Sequence, residues 1–293
     1  MTSAPATKRL VLGVGAQKAG TSWLHDYLAR SPQAAGCLKE YHLFDVLDLD
    51  SAADMRATML AKAERALRRL SGGADAARAP DAPALQRAVF YADPSTYFDY
   101  LAGLLAPDGI RATTDLTPAY AGLSAARFAS IRAELAGRGI GLHVVFLLRD
   151  PVERIWSAER MYHRNHPAEE QVETVEARLL RTYDHPFHEM RTRYQQTLAV
   201  LDEVFAPDEV TVELYERLFV PETLARLCGR IGIDPPDADL DHRVNSSPKS
   251  AELTPDTAAR VARHYADVYD AVAARLGADL VAEAWPHAAL ALG

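Results

Sequence analysis

The segment Gly15-Ala16-Gln17-Lys18-Ala19-Gly20-Thr21-Ser22-Trp23-Leu24 constrains this chain more than any other. It follows an apolar run, Leu10-Val11-Leu12-Gly13-Val14, with the composition of a buried strand, and precedes a helical pattern that reaches about Arg30. A strand, a loop holding two glycines and a helix start make an anion cradle, because backbone N–H groups and the helix N-terminus converge on one point. The two glycines bracket four residues, as in a nucleoside-triphosphate loop, but Thr21 stands where that loop carries its lysine. The lysine is Lys18, inside the loop. A phosphate-like group met by a displaced lysine, without the usual residues for magnesium, points to a donor other than ATP.

Beyond this segment, strand and helix signals alternate, which predicts an α/β fold with a mostly parallel central sheet of about five strands flanked by helices. Strands are expected at about Arg9–Val14, near Cys37–Lys39, at Arg111–Leu116, at Leu142–Leu148 and at Val210–Leu214. Helices are expected over Ser51–Leu70, about Pro94–Leu105 and about Ser124–Ala136, with a loop from Ser71 through Pro83. A further helix starts at Asp150, with Pro151 at its first position and Glu153 completing a capping box. The last long helix starts at Thr254 and Pro255, steps through Val261, Tyr265, Val268, Val272 and Leu276, and stops at Gly277. One domain over residues 1–293 is the simplest organisation, with 51–83 as a helical insertion serving as a lid or as a homodimer face.

The second informative stretch is Phe146-Leu147-Leu148-Arg149-Asp150-Pro151-Val152-Glu153-Arg154-Ile155-Trp156-Ser157. Arg149 falls at the carboxyl end of the most apolar strand, where open α/β sheets bind their ligands. An arginine there can grip a phosphate with two parallel hydrogen bonds. Ser157 lies two helical turns on and can present its hydroxyl to the same region.

Together, Gln17–Trp23 and Leu148–Arg154 with Ser157 resemble the 5′-phosphosulfate and 3′-phosphate motifs of sulfotransferases that use 3′-phosphoadenosine 5′-phosphosulfate (PAPS), the second being nearest to the heparan sulfate sulfotransferase branch and its bacterial relatives. The resemblance implies PAPS as co-substrate, adenosine 3′,5′-bisphosphate (PAP) as product, no required metal, and a hydroxyl-bearing acceptor, carbohydrate or small metabolite. It implies that Lys18 stabilises the leaving phosphate, that Ala19, Gly20, Thr21 and Ser22 hold the 5′-phosphosulfate, and that Trp23 contacts the adenine. Arg149 and Ser157 would hold the 3′-phosphate. Lys39-Glu40-Tyr41-His42-Leu43-Phe44 resembles a Lys-Glu-Pro-His-Phe-Phe segment whose glutamate is a general base, which gives that role to Glu40 or to His42. Tyr41 replaces its proline. Asp115-Leu116-Thr117-Pro118-Ala119-Tyr120 resembles a Lys-Thr-Pro-x-Tyr segment with Leu116 in place of the lysine, which argues against a heparan-like acceptor. Ser247 and Lys249 stand where the family closes over the nucleotide with a basic loop.

Composition narrows the field. A formal net charge of −8 disfavours nucleic acid and anionic membranes as partners. No apolar run approaches the roughly 20 residues of a spanning helix, and no apolar leader is visible. Two cysteines, Cys37 and Cys228, are too few for a disulfide framework or a zinc site, so a reducing cytoplasmic setting is expected. The pairs His163/His166 and His185/His188 read as surface histidines rather than metal ligands. Two rivals are a P-loop kinase using ATP and magnesium, and a non-catalytic nucleotide-binding protein of the same fold. The displaced lysine and the Arg149–Ser157 pair argue against the first, and Lys18 with Glu40 against the second.

Overall fold

The computed structural model describes residues 8–36, 38–70, 81–167, 173–237 and 253–292. Five parallel strands form one sheet, with helices on both sides. Strand β1 (Arg9–Gly15) is buried almost throughout. It leads through the glycine loop into α1 (Thr21–Leu28). The second strand, β2, is only Ala34–Ala35, earlier than the expected stretch near Cys37–Lys39. Cys37 lies outside the described residues, and the Lys39 carbonyl accepts from the Leu116 N–H at 2.8 Å.

Four helices follow: α2 (Phe44–Asp48), α3 (Ala53–Leu70), α4 (Ala82–Ala92) and α5 (Ser95–Leu105). The α4 start, capped by Asp81 on the Ala84 N–H, cuts short the loop expected to run through Pro83. Then come β3 (Ala112–Leu116), a 3₁₀ turn over Pro118–Gly122, α6 (Ala125–Ala136) capped by Ser124, and β4 (Gly141–Leu148). After β4 the chain forms α7 (Pro151–Asn165), α8 (Val175–Thr182), α9 (Pro186–Thr192) and α10 (Tyr194–Val204) before β5 (Val210–Leu214). The remainder is helical: α11 (Pro221–Ile231), α12 (Pro255–His264), α13 (Ala266–Leu276), α14 (Ala278–Ala284) and α15 (Ala288–Leu292). The last long helix is therefore two helices. Tyr265 leaves helical geometry at φ −103°, ψ 21°, and the apolar spacing continues across that break because both halves bury the same side.

The strand order is β2-β3-β1-β4-β5. From β1 the chain builds the sheet to one side, then crosses over and builds it to the other. The carboxyl ends of β1, β3 and β4 thus surround a switch point, the place where open α/β sheets leave a crevice. Close packing of β1 on β3 is bought with a missing side chain: a Cβ on Gly13 would stand 2.6 Å from Leu116 Cδ2. Leu116 is fully buried there, so the position that carries lysine in the resembling segment faces the sheet core in this chain.

Asp150 ties the C-terminal helices to this edge. Its carboxylate caps α7 by accepting from the Val152 and Glu153 N–H groups at 2.9 and 3.2 Å, and also accepts from the Tyr269 hydroxyl and the His287 backbone N–H. The capping box is only half present, because the Glu153 carboxylate turns to the Arg149 guanidinium at 3.0 Å.

Candidate active site

One cavity of about 790 Å³ opens over the carboxyl ends of the sheet. Every strand end at the switch point contributes to it: Gln17 and Lys18 after β1, Pro118 and Ala119 after β3, Arg149 after β4, and Tyr215 after β5. Of the residues singled out in the sequence, Lys18, Gly20, Thr21, Ser22, Trp23, Glu40, His42, Arg149 and Ser157 line this one space. Ala19 is fully buried beneath it, and Ser247 and Lys249 lie outside the described residues.

The loop owes its shape to backbone constraints. Gly20 has φ +85°, and a Cβ there would come within 2.9 Å of the Tyr215 ring, so only glycine serves at this point. Lys18 itself adopts φ 71°, a conformation few non-glycine residues accept, which throws its side chain into the cavity. No side chain caps the first turn of α1, so its N–H groups face the space in front of Gly20. Arg149 clamps the loop from the next strand by donating to the Lys18 carbonyl at 3.0 Å. Its guanidinium lies 4.8 Å from the Tyr215 ring centroid, and the Tyr194 hydroxyl donates to its carbonyl at 2.8 Å. The Arg149 Nε and Gln17 Oε1 are buried with no hydrogen-bond partner among the described residues.

The wall of the cavity is cationic although the chain is acidic overall. Lys18, Lys39, Arg149, Arg164 and Arg191 line it, against Glu40 as the single carboxylate among the lining residues. Burial first, then the charges of Arg164, Arg149, Arg160 and Lys39, pull the Lys18 ammonium down to about 8. Such a site stabilises an incoming anion. Trp23 shows only an edge, since Tyr27 stacks on it at 5.2 Å and Phe219 abuts it at 4.9 Å. Phe219 also reaches the cavity. Glu216 does not, and burial pushes its carboxyl up to about 7.

At the other end stands a carboxylate–imidazole–carboxylate row. His42 Nε2 lies 3.1 Å from Glu40 Oε2, and His42 Nδ1 lies 2.8 Å from Asp45 Oδ2. Lys39 pairs with the second Glu40 oxygen. Burial works against charge on the imidazole, but the hydrogen bonds that its ring N–H groups donate to Asp45 and Glu40 outweigh it and raise His42 to about 9. Burial likewise opposes ionisation of Glu40, and the His42 hydrogen bond with the Lys39 charge brings its carboxyl down to about 2. The imidazole of His42 is thus held in its charged form at neutral pH, facing an ionised Glu40.

Tyr41 explains how this segment does without a proline. Its N–H, which proline lacks, donates to Thr117 Oγ1 at 3.2 Å and approaches Asp115 Oδ1 at 3.4 Å, while its ring is buried against Phe90, Tyr97 and Tyr100. Asp115 also accepts from the hydroxyls of Thr117, Tyr97 and Tyr120, and the Tyr120 hydroxyl accepts from the Leu43 N–H. Arg87 of α4 donates to the Glu40 and Tyr41 carbonyls at 2.6 and 3.2 Å.

Several lining residues carry no motif. Met161 and Arg164 follow Ser157 at helical spacing on α7, a signal that the sequence held once Ser157 had been singled out. Met55, Phe187 and Arg191 come from α3 and α9. Each histidine pair is split, with His166 and His185 exposed as expected and the other member of each pair not. His163 and His188 are buried, the latter between Glu159 at 2.6 Å and Arg154 at 2.8 Å, and His166 lines the cavity. Among the described residues no group of three His, Cys, Asp or Glu side chains is arranged to hold a metal ion.

No protein-family model matches the chain, and no curated protein matches it in sequence. Solved structures do match. A sulfotransferase from Alicyclobacillus acidocaldarius superposes with a TM-score of 0.54 at 18% identity, over 94% of this chain and 96% of that one. The sulfotransferase domain of the Synechococcus PCC 7002 olefin synthase matches at TM-score 0.42 and 16% identity, over 90% of this chain and 98% of that one. The sulfotransferase domain from the curacin biosynthetic pathway matches at TM-score 0.43 and 13% identity, over 89% and 98%. At such identities the first of these establishes a shared fold.

Proposed function

We propose that this chain is a PAPS-dependent sulfotransferase acting on a hydroxyl. The observation that carries the reading is the convergence of Lys18, the amide-lined loop and Arg149 with Ser157 on one cationic cavity, in a fold shared with a sulfotransferase. The residues present suit the donor: an unpartnered Arg149 Nε, an uncapped helix start and a displaced lysine all answer to anionic groups. Bound there, PAPS would supply an activated sulfuryl group, and transfer gives a sulfate ester and PAP.

Each side chain then has a task. The amides from Ala19 to Ser22, with the hydroxyls of Thr21 and Ser22, hold the 5′-side phosphate. Arg149 and Ser157 hold the 3′-phosphate, the group that distinguishes this nucleotide from ATP. Trp23 and Phe219 provide an aromatic wall for the base. Lys18 places its charge where negative charge develops on the leaving oxygen. Glu40 accepts the acceptor's hydroxyl proton. His42 is unfit for that role at neutral pH, because it is already protonated between two carboxylates. It orients Glu40 instead. An arriving acceptor displaces water from Glu40, and desolvation is the influence that raises its proton affinity.

The test is calorimetric binding of PAP against ADP and ATP without magnesium, followed by sulfate-ester formation from PAPS. Selective binding of PAP is the expected result. Preference for ATP, or strict dependence of turnover on magnesium, would return the kinase reading, although Thr21 rather than lysine closes the loop.

A further inference from the structure

Arg191 sits on the cavity wall with no task in donor binding. Its guanidinium lies 3.8 Å over the Phe187 ring, and its Nη1 donates to the Phe187 carbonyl at 3.0 Å, so the fork is held in place by its own helix, α9. Among the described residues no carboxylate pairs with it. That sets it apart from Arg127, Arg132, Arg193 and Arg275, which hold Asp48, Glu209, Asp267 and Asp202. Burial, then the nearby Arg154, pull its pKa down to about 10 against the opposing charge of Asp45, as for a cation desolvated without a directly paired carboxylate. A cation kept in this state is costly unless an anion arrives.

Its position assigns it to the acceptor. Helix α9 packs on the Pro118–Gly122 turn, where a Cβ on Gly122 would stand 3.0 Å from Met190 Sδ. Tyr120 in that turn holds the Leu43 N–H, just after Glu40 and His42. Asp45, which holds His42, is the acidic group whose charge Arg191 senses. Arg149, by contrast, is packed on Tyr215 beyond the glycine loop. Phe187 lies against Arg191, and Met55 and Met161 line the same cavity. Lys39 is already paired with Glu40.

Resting on the sulfuryl-transfer reading, we propose that Arg191, held on Phe187, clamps a carboxylate of a small, otherwise apolar hydroxyl acceptor and so presents its hydroxyl to Glu40. A fork held on a phenyl ring, in a cavity that Met55 and Met161 also line, suits a carboxylate on an apolar body.

The probes are 3-(4-hydroxyphenyl)propionate and 10-hydroxydecanoate, each compared with its methyl ester, titrated into the protein saturated with PAP. The acids should bind about 10- to 100-fold more tightly than the esters, in line with a charge-assisted bidentate contact. Arg191→Gln should erase that difference while PAP affinity stays within about threefold, which also reports an intact fold. Arg191→Lys should retain part of the preference, since it keeps the charge but loses the fork. Equal binding of acid and ester, a preference that survives in Arg191→Gln, or failure of both acids to bind would overturn the clamp. Failure of PAP itself to bind would instead bring down the sulfuryl-transfer reading and the clamp with it.

Discussion

The two ends of the cavity are built in different ways. The donor end is backbone work: a loop at the end of β1, a helix start, and one arginine at the end of β4 that clamps the loop by its Lys18 carbonyl. Its parts follow directly on the ends of two neighbouring strands, β1 and β4, and are placed by the sheet itself. The acceptor end is side-chain work. Glu40 and His42 sit on a segment held by Asp45, Arg87, Asp115, Thr117 and Tyr120, and Arg191 reaches the same region from α9. A fixed donor end under an acceptor end assembled from distant elements allows one chemistry to be kept while the substrate is changed by altering helices.

If that division is right, damage at the two ends should have different kinetic signatures. Glu40→Gln should have the largest effect, a loss of about 10²- to 10⁴-fold in kcat with PAP affinity nearly unchanged, because it removes a proton acceptor and nothing from the donor end. Equal loss of nucleotide affinity would mean that the ends are not separate. Lys18→Ala should cost about 10²- to 10³-fold in turnover and much less in PAP binding, because its charge matters most in the transition state. Arg149→Ala should act in the reverse sense, weakening PAP about 10- to 100-fold and erasing its preference over ADP, as expected for a lost charge-assisted contact. Because Arg149 also holds the Lys18 carbonyl, a smaller loss of turnover should accompany it.

Asp115→Asn probes what supports the acceptor end. Four donors converge on this fully buried carboxylate, from Tyr41, Tyr97, Thr117 and Tyr120. Asparagine offers one acceptor oxygen in place of two, so buried donors go unpaired, at a cost of about 1–3 kcal/mol in stability. Thermal melting measures that loss. An acceptor KM that rises several-fold while PAP affinity holds would show that the network positions Glu40 as well as stabilising the fold.

The same division explains what was legible in the sequence. Strands β1 and β4 announced themselves as apolar runs, and the loop and Arg149 as residue types at fixed offsets from those strands. The α7 start was legible because capping is local. Where a placement depends on tertiary contacts, local pattern fell short. Glu153 fits a capping box, but Arg149 stands near enough to take its carboxylate. His188 looks like half of a surface pair until Glu159 and Arg154 enclose it. The break at Tyr265 left no mark, since the apolar spacing runs through it. Arg191 could not have been told from any other arginine, because what distinguishes it is its place on the cavity wall, held on Phe187.

The smallest expected effect is a proton. Lys18 has its pKa lowered to about 8 by burial and by four neighbouring cations. An anion bound against it must reverse part of that shift, so binding takes up a proton wherever the free site is partly deprotonated. The uptake should therefore be negligible well below pH 8, where Lys18 is charged in both states, and should reach a fraction of a proton near and above pH 8. PAP affinity should fall as pH rises through that range. PAP's own phosphates, with second ionisations near about 6, are fully charged there and contribute little. Calorimetry in two buffers of different ionisation enthalpy at each pH gives the proton count directly. Lys18→Ala should abolish the uptake near pH 8, whereas Arg191→Gln, acting at the other end, should leave it intact. If the uptake survives in Lys18→Ala, the titrating group belongs elsewhere in the cavity, and the donor end is not organised around this lysine.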